Sequence, residues 1–255
     1  MLLAIDIGNT SVHCGVFDGD ELRGTWRLGT DVERLPDEYA ILLLGLLRTA
    51  GIDAREISGC VLSSTVPVLT QTFGELTRRY FHTSTLTVGS GVRTGLRILY
   101  DNPRDVGPDR VVDAVAALKL YGAPAIIVDC GTATVFDAVS REGDYVGGAI
   151  APGIGIASEA LFQRASRLYR VDLEKPRSAI GKNTVHALQA GIMFGYVGLV
   201  EGIVERFQRE LGGGAHVIGT GGYAPIIARE TAAIDVVNTE LTLIGLRLVY
   251  ELNRV

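Results

Sequence analysis

The sequence predicts an α/β protein made of two copies of one unit, βββαβαβα, with an extra helix in the second copy. Three observations carry this. The stretch AIDIGNTSVHCGVFDGDEL, starting at Ala4, has a counterpart in AIIVDCGTATVFDAVSREGDYVGGAI, starting at Ala125. Each opens with an apolar run, then Asp, one residue, Gly, small polar residues, alternating apolar residues and a second turn. Each is followed by the same order of helical and strand-like segments. Finally, 32 of the 255 residues are glycine, well above the usual share of about 7%, as tight turns and close backbone approaches require.

Residues 2–8, 12–17 and 22–28 are short β-like runs joined by the turn sequences NTS and DGDE. PDEYAILLLGLLRTAG has Pro and acids at its start and Gly at its stop, so residues 36–51 read as a helix. Residues 57–64 form a buried strand. Residues 67–81 form a helix with Val68, Leu69, Phe73, Leu76 and Phe81 on one side, and 84–88 a strand. PRDVGPDRVVDAVAALKLYG turns into a helix ending near Gly122. The second copy has strands at 125–131, 133–140 and 144–152 and a helix at 155–169. An insertion at 170–183 leads into a long helix, 184–211. Strand 215–220, helix 224–232, strand 234–237 and a closing helix at 241–255 complete it. The order divides into domains 1–115 and 116–255, with a cleft between the copies as the natural small-molecule site.

Hydrophobic residues are 47% and charged residues 21%, an ordinary globular balance. The net charge of −5 and the absence of a basic stretch argue against nucleic acid as a partner. Cys14, Cys60 and Cys130 have no metal or disulfide spacing and read as small buried hydrophobes. His13, His82, His186 and His216 show no ligand spacing. MLLAIDIGNT lacks a basic leader and is not a secretion signal. NTVHALQAGIMFGYVGLV is long enough to raise the membrane question. It contains Asn, Thr, His and Gln and continues into EGIVERFQREL, so an amphipathic helix of a cytoplasmic protein is expected.

Asp6 ends the first strand, and Gly8, Asn9 and Thr10 form the turn after it. Such a turn points backbone N–H groups at an oxyanion. A carboxylate beside a phosphate needs a cation between them, which suits Asp6 as an anchor for Mg²⁺ through waters. A plain hairpin uses the same residues. The second copy, DCGTAT, repeats the pattern with Asp129, Gly131, Thr132 and Thr134, and two such hairpins could grip a polyphosphate. No G-x-x-x-x-G-K-[ST] occurs. GIGIAS places Ser158 where a dinucleotide loop needs its third glycine. In VIGTGGYAP, Gly221 and Gly222 either admit a flat base against the backbone or make a strand-to-helix turn.

Asp109 follows Gly107 and Pro108 at a helix N-terminus, beside Arg110. The helix dipole and the guanidinium should keep it ionised, and an ionised carboxylate aimed at a hydroxyl can take its proton. A capping Asp is the alternative, and Arg110 serves either the cleft or Asp113. Thr184 reads as the N-cap of the long helix. Gly191, Gly195, Gly198 and Gly202 make a small-residue stripe, while Val185, Leu188, Ile192, Tyr196, Leu199, Ile203 and Phe207 keep apolar helical spacing. So glycine-rich a helix needs close packing, against its own domain or a second subunit. A homodimer is expected.

The duplicated hairpins and GTGGYA resemble the superfamily of acetate and sugar kinases, actin and heat-shock chaperones, which implies two ribonuclease H-like domains of the actin-like ATPase fold. Within it, DIGNT, GPDR, DCGTATVFD, GGAIAPGI and GKNTVHALQAG together look like the type III pantothenate kinases, over nearly the whole chain. The resemblance implies transfer of phosphate from ATP to the primary hydroxyl of pantothenate, the first step toward coenzyme A. It implies a first phosphate loop of Asp6, Ile7, Gly8, Asn9, Thr10, Ser11, Val12 and His13, with Asp6 near Mg²⁺. Thr132 would contact ATP, and Gly221 and Gly222 would lie at the adenosine end. Asp109 would accept the proton. Tyr100, Gly107, Pro108, Asp109, Arg110 and Thr184 would meet pantothenate, and Asp129 would hold K⁺ or NH₄⁺. Members are dimers built partly through the long helices. The rival readings are a nucleotide-binding transcriptional accessory protein of this fold and another small-molecule kinase of the superfamily. A base at Asp109 favours the kinase over the pure binder.

Overall fold

A computed structural model describes residues 1–165 and 168–254. Strands β1 (Leu2–Ile7), β2 (Ser11–Asp18), β3 (Glu21–Gly29), β4 (Gly59–Ser64) and β5 (Thr85–Thr87) form one sheet. Its order is β3-β2-β1-β4-β5. Strands β6 (Ala125–Cys130), β7 (Ala133–Val139), β8 (Tyr145–Pro152), β9 (His216–Thr220) and β10 (Val236–Val237) form a second, ordered β10-β9-β6-β7-β8. In each, the first three strands are antiparallel and the later two run parallel to the first. Read from the first strand of each copy, the two topologies are identical, as the repeated hairpins predict. The helices are α1 (Pro36–Thr49), α2 (Pro67–Tyr80), α3 (Pro108–Tyr121), α4 (Ile154–Arg164), α5 (Thr184–Glu210), α6 (Ala224–Ala228) and α7 (Leu241–Asn253).

The chain divides into two compact units. One comprises Met1–Leu96, Asp101–Ala116 and Leu241–Val255; the other comprises Arg97–Tyr100 and Ala117–Glu240. In the first unit, strand alternation sends Leu3, Ile5, Ile7, Val12, Cys14, Val16, Cys60 and Leu62 to one face. There they pack against Tyr39, Leu43 and Leu47 of α1 and Leu69, Phe73 and Leu76 of α2. Each large side chain buried this way contributes about 1.5–3 kcal/mol. Pro36 opens α1, and the Glu38 carboxylate accepts a 2.8 Å bond from the Leu35 N–H.

The other face carries Ala4, Asp6, His13, Gly15, Gly59 and Ser63. It is covered by α7, the helix that sequence order groups with residues 116–255. The bare positions explain the difference. A Cβ on Gly15 would lie 2.8 Å from a Leu243 methyl, and one on Gly59 would collide with Tyr250. A Cβ on Gly245 would overlap the Val112 carbonyl of α3. Small residues thus form the bed on which Leu241, Leu243, Leu246 and Val249 are buried.

In the second unit, Ile126, Val128, Cys130 and Phe136 pack with Ile154 of α4 and with Met193, Tyr196, Val200 and Val204 of α5. Helix α5 has a mean hydropathy of 1.5 over its most apolar window and is long enough to cross a membrane, but it contributes one face to this core. Its N-cap is Asn183 rather than Thr184: the Asn183 side chain accepts a 2.9 Å bond from the His186 N–H, placing Thr184 inside the first turn. Residues 166–167 of the helix expected over 155–169 lie outside the described residues. Helix α4 stops at Arg164, and Ala165 is extended.

Candidate active site

The turn between β1 and β2 is closed by Gly8 N–H to the Ser11 carbonyl at 3.0 Å and tied to the end of β3 by Thr30 Oγ1 to the Gly8 carbonyl at 2.7 Å. Asn9 and Thr10 are exposed at its tip. Ile7 and Val12 point into the core with no exposed surface, so they can offer a ligand only backbone groups. In the second unit, Gly131 N–H bonds the Ala133 carbonyl at 3.0 Å. That turn is tighter, with Thr132 exposed at the apex.

Asp6 sits in the β1 ladder between His13 of β2 and Ser63 of β4, with Arg27 of β3 beyond His13. Ser63 Oγ donates to Asp6 Oδ1 at 2.6 Å. Burial pushes the Asp6 carboxyl up to about 7, with the Asp109 charge adding to the rise; the Ser63 hydrogen bond and Arg27 oppose it. The structure therefore brings Asp6 and Asp109 into one electrostatic environment within the first unit. Asp109 stands in the first turn of α3, where Val111 N–H bonds the Gly107 carbonyl at 3.2 Å. A Cβ on Gly107 would strike the Asp109 Oδ1, so glycine there makes room for the carboxylate. Oδ1 is buried without a hydrogen-bond partner. Burial raises the Asp109 pKa, against backbone N–H groups and the Arg110 guanidinium. The backbone N–H groups and the guanidinium favour the ionised form, as the sequence suggests, and burial outweighs them in the net rise. Arg110 and Asp113 are both buried.

Asp129 is the penultimate residue of β6, before Cys130. Gly221, at φ +83°, faces it; a Cβ there would overlap Asp129 Oδ1 and the Cys130 carbonyl region. Gly222 has open space where a Cβ would be. The two glycines differ: Gly221 makes room for the acid, whereas Gly222 borders open space. Gly153 approaches the Gly131–Thr132 turn so closely that a Cβ would overlap its carbonyls, and its N–H bonds the Thr132 carbonyl at 3.1 Å. Tyr196 of α5 fastens this region. Its hydroxyl bonds Thr134 and donates to the Pro152 carbonyl at 2.8 Å.

Tyr100 belongs to the second unit. Its segment joins β8 through Leu99 N–H to the Tyr145 carbonyl at 2.8 Å, and its ring lies 6.4 Å from that of Tyr145. The Tyr145 hydroxyl is held in turn by Asp137 at 2.7 Å. Thr184 is exposed. Sequence reasoning missed Ser63, Gly153, Tyr145 and Tyr196. Only Ser63 left a signal, as a hydroxyl one residue inside the end of an otherwise small and apolar strand. Among the described residues, no group of three or more His, Cys, Asp or Glu side chains could hold a metal ion alone. A cavity of about 760 Å³ in the first unit, lined by Met1, Gly59, Thr85, Arg247 and Tyr250 among others, includes none of the expected site residues.

Known proteins resemble the chain at both levels. A 97%-covered protein from Dehalococcoides mccartyi, itself a type III pantothenate kinase, is 51% identical over 254 residues, all but the whole of this chain. One of the same description from Moorella thermoacetica is 53% identical over 253 residues, covering 99% of this chain and 100% of its own. In fold, a conserved Baf family protein from Campylobacter jejuni matches with a TM-score of 0.61 at 18% identity, covering 98% of both chains. The activator of 2-hydroxyisocaproyl-CoA dehydratase from Clostridium difficile, with bound ADPNP, matches at 0.54 and 11%, covering 98% of this chain and 94% of its own. These distant structures speak for the duplicated ribonuclease H-like fold alone. The family model described as type III pantothenate kinase matches residues 2–206. With that match and full-length relatives at about half identity, the chain belongs to the type III pantothenate kinase family, ATP-dependent enzymes of the first step of coenzyme A biosynthesis.

Proposed function

We propose that Asp109 is the general base of this kinase. Its carboxylate takes the proton of the primary hydroxyl of pantothenate as that oxygen attacks the γ-phosphorus of ATP. A lone pair of that oxygen forms the new O–P bond while the O–H pair stays on the oxygen, and the bond from γ-phosphorus to its bridging oxygen breaks with ADP as the leaving group. The proton passes from Asp109 to solvent, and the product is 4′-phosphopantothenate. In a loose transition state, positioning supplies much of the rate and the demand on the base is modest. The observation that carries this reading is the buried Asp109 Oδ1, which has no hydrogen-bond partner and is given room by Gly107. Pantothenate is assigned to Tyr100, Gly107, Pro108, Arg110 and Thr184. The triphosphate is assigned to the loop from Asp6 to His13 and to Thr132, and the adenosine end to Gly221 and Gly222.

Two cations fit the residues present. The Asp109 charge adds to the cost of ionising the buried Asp6 carboxyl, which supports a counter-charge there, Mg²⁺ held at Asp6 through waters. Mg²⁺ bound there would offset charge on the triphosphate. The Asp129 carboxylate, in a cradle that side chains at Gly221 would fill and beside the Cys130 carbonyl, suits K⁺ or NH₄⁺. A homodimer through α5 is supported by Gly191, Gly195 and Gly198: all three are exposed, and a Cβ on any of them would meet nothing in its own chain. Their own domain does not need them. Three free, buried thiols accord with a cytoplasmic site of action.

Asp109→Asn keeps the volume and removes the base. It is expected to lower kcat by about 10²-fold or more, with an unchanged circular dichroism spectrum and a melting temperature no lower than the parent's. Full activity in this variant would refute the assignment.

A further inference from the structure

We infer that Ser63 is a positioning residue for this reaction: its hydroxyl sets the orientation in which the Asp6 carboxylate meets the cation of the bound nucleotide. This rests on the reading of Asp6 as the Mg²⁺ anchor. Ser63 stands on β4 directly across the ladder from Asp6, and its Oγ donates to Oδ1 at 2.6 Å. The distance is in the range of a charge-assisted O–H···O⁻ bond. The residue has no exposed surface, and the four residues before it on β4, from Gly59 to Leu62, are small or apolar. A hydroxyl this deep is not a solvated strand end.

Its neighbour shows the contrast. Ser64 uses its hydroxyl locally, accepting from the Val66 N–H at 3.0 Å and donating to the Val66 carbonyl at 2.9 Å, which shapes the turn into α2. Ser63 instead reaches across 57 residues of sequence to a carboxylate. A carboxylate turns easily about its last torsion, which has broad and nearly twofold wells. Fixing Oδ1 fixes Oδ2 as well, so one bond from a rigid central strand decides where the free lone pairs point. A group that orients a metal-anchoring carboxylate in this way typically matters by about 10–100-fold in metal affinity or activity.

The test uses the full chain with a non-hydrolysable ATP analogue and Mn²⁺ as the probe, read by electron paramagnetic resonance. Steady-state kinetics against Mg·ATP and pantothenate run in parallel. Ser63→Ala is expected to weaken Mn²⁺ binding by about 10-fold and to impair the response to Mg·ATP while leaving KM for pantothenate unchanged. Ser63→Thr keeps the hydroxyl and restores Mn²⁺ binding to within about threefold of the parent. If the alanine variant does not fold, Ser63→Cys keeps the volume with a weaker donor and should lose about threefold or more. Parent-like Mn²⁺ affinity in folded Ser63→Ala, alongside loss of binding in Asp6→Asn, overturns the role of Ser63. Parent-like affinity in Asp6→Asn as well brings down the Asp6 assignment first, and the inference with it.

Discussion

Asp6→Asn should make the ligand-free protein more stable while removing its function. In the folded chain burial holds the Asp6 carboxyl at about 7, against 3.8 in the unfolded chain. The neutral form is thus favoured by folding. Below pH 3.8 both states are protonated and nothing is lost. Between the two values the unfolded chain ionises first, so stability falls as pH rises, and above about 7 the penalty is complete. At 1.36 kcal/mol per pH unit the interval is worth about 4 kcal/mol. Asp6 keeps part of its surface in water, so about 2–4 kcal/mol is the expected size. Asparagine keeps the shape and an oxygen to accept from Ser63, and it carries no charge to bury. Thermal unfolding of parent and variant, without nucleotide and with divalent ions chelated, should show a gain of about 5–15 °C at pH 8.5. At pH 5 the gain should shrink to about a third, because the parent has by then lost only the first part of the interval. Equal gains at both pH values, or none at pH 8.5, would refute the reasoning. The combination of higher stability and lost turnover is what a functional site that stores unfavourable burial predicts.

Two other perturbations follow from the packing. Gly221→Ala forces a side chain into a left-handed conformation and against Asp129 Oδ1; it should cost about 2–4 kcal/mol and raise the K⁺ concentration for half-maximal activity, read by titrating K⁺ in a coupled assay. An unchanged K⁺ titration would remove Asp129 as the cation site. A Cβ at Gly195 points into open space, so with Gly195→Leu the monomer should fold normally while light scattering after gel filtration shows the dimer lost; a dimer of undiminished affinity would exclude this face of α5.

Both sheets were legible in the sequence because they rest on local signals: strand alternation, turn residues, and one pattern written twice. What escaped depends on neighbours distant in sequence. Asn183 and Thr184 are both good caps, and only the bond to His186 decides between them. The helix N-terminus at Asp109 is visible in GPDR, but the burial that raises its pKa is not. Gly221 and Gly222 look alike in a string of letters, yet one faces a carboxylate and the other faces open space. Ser63 and Ser64 read as a strand fading into a turn, although only the second has that role. The allegiance of α7 was hidden for the same reason, because apolar periodicity says that a helix covers a sheet and not which one.

Helix α7 also bears on how the protein is born. The sheet begun at Leu2 receives its second cover from residues 241–253, after the intervening unit has been threaded out. During translation the strands begun at Leu2 therefore wait, with Ala4, Gly15 and Gly59 exposed, until residues 241–253 have emerged. The usual order, in which the N-terminal domain matures first, is reversed: the central unit, contiguous from Ala117 to Glu240 but for the short segment 97–100, can close before its predecessor. A nascent chain halted before residue 241 would hold its first sheet half-clad, a natural client for chaperones.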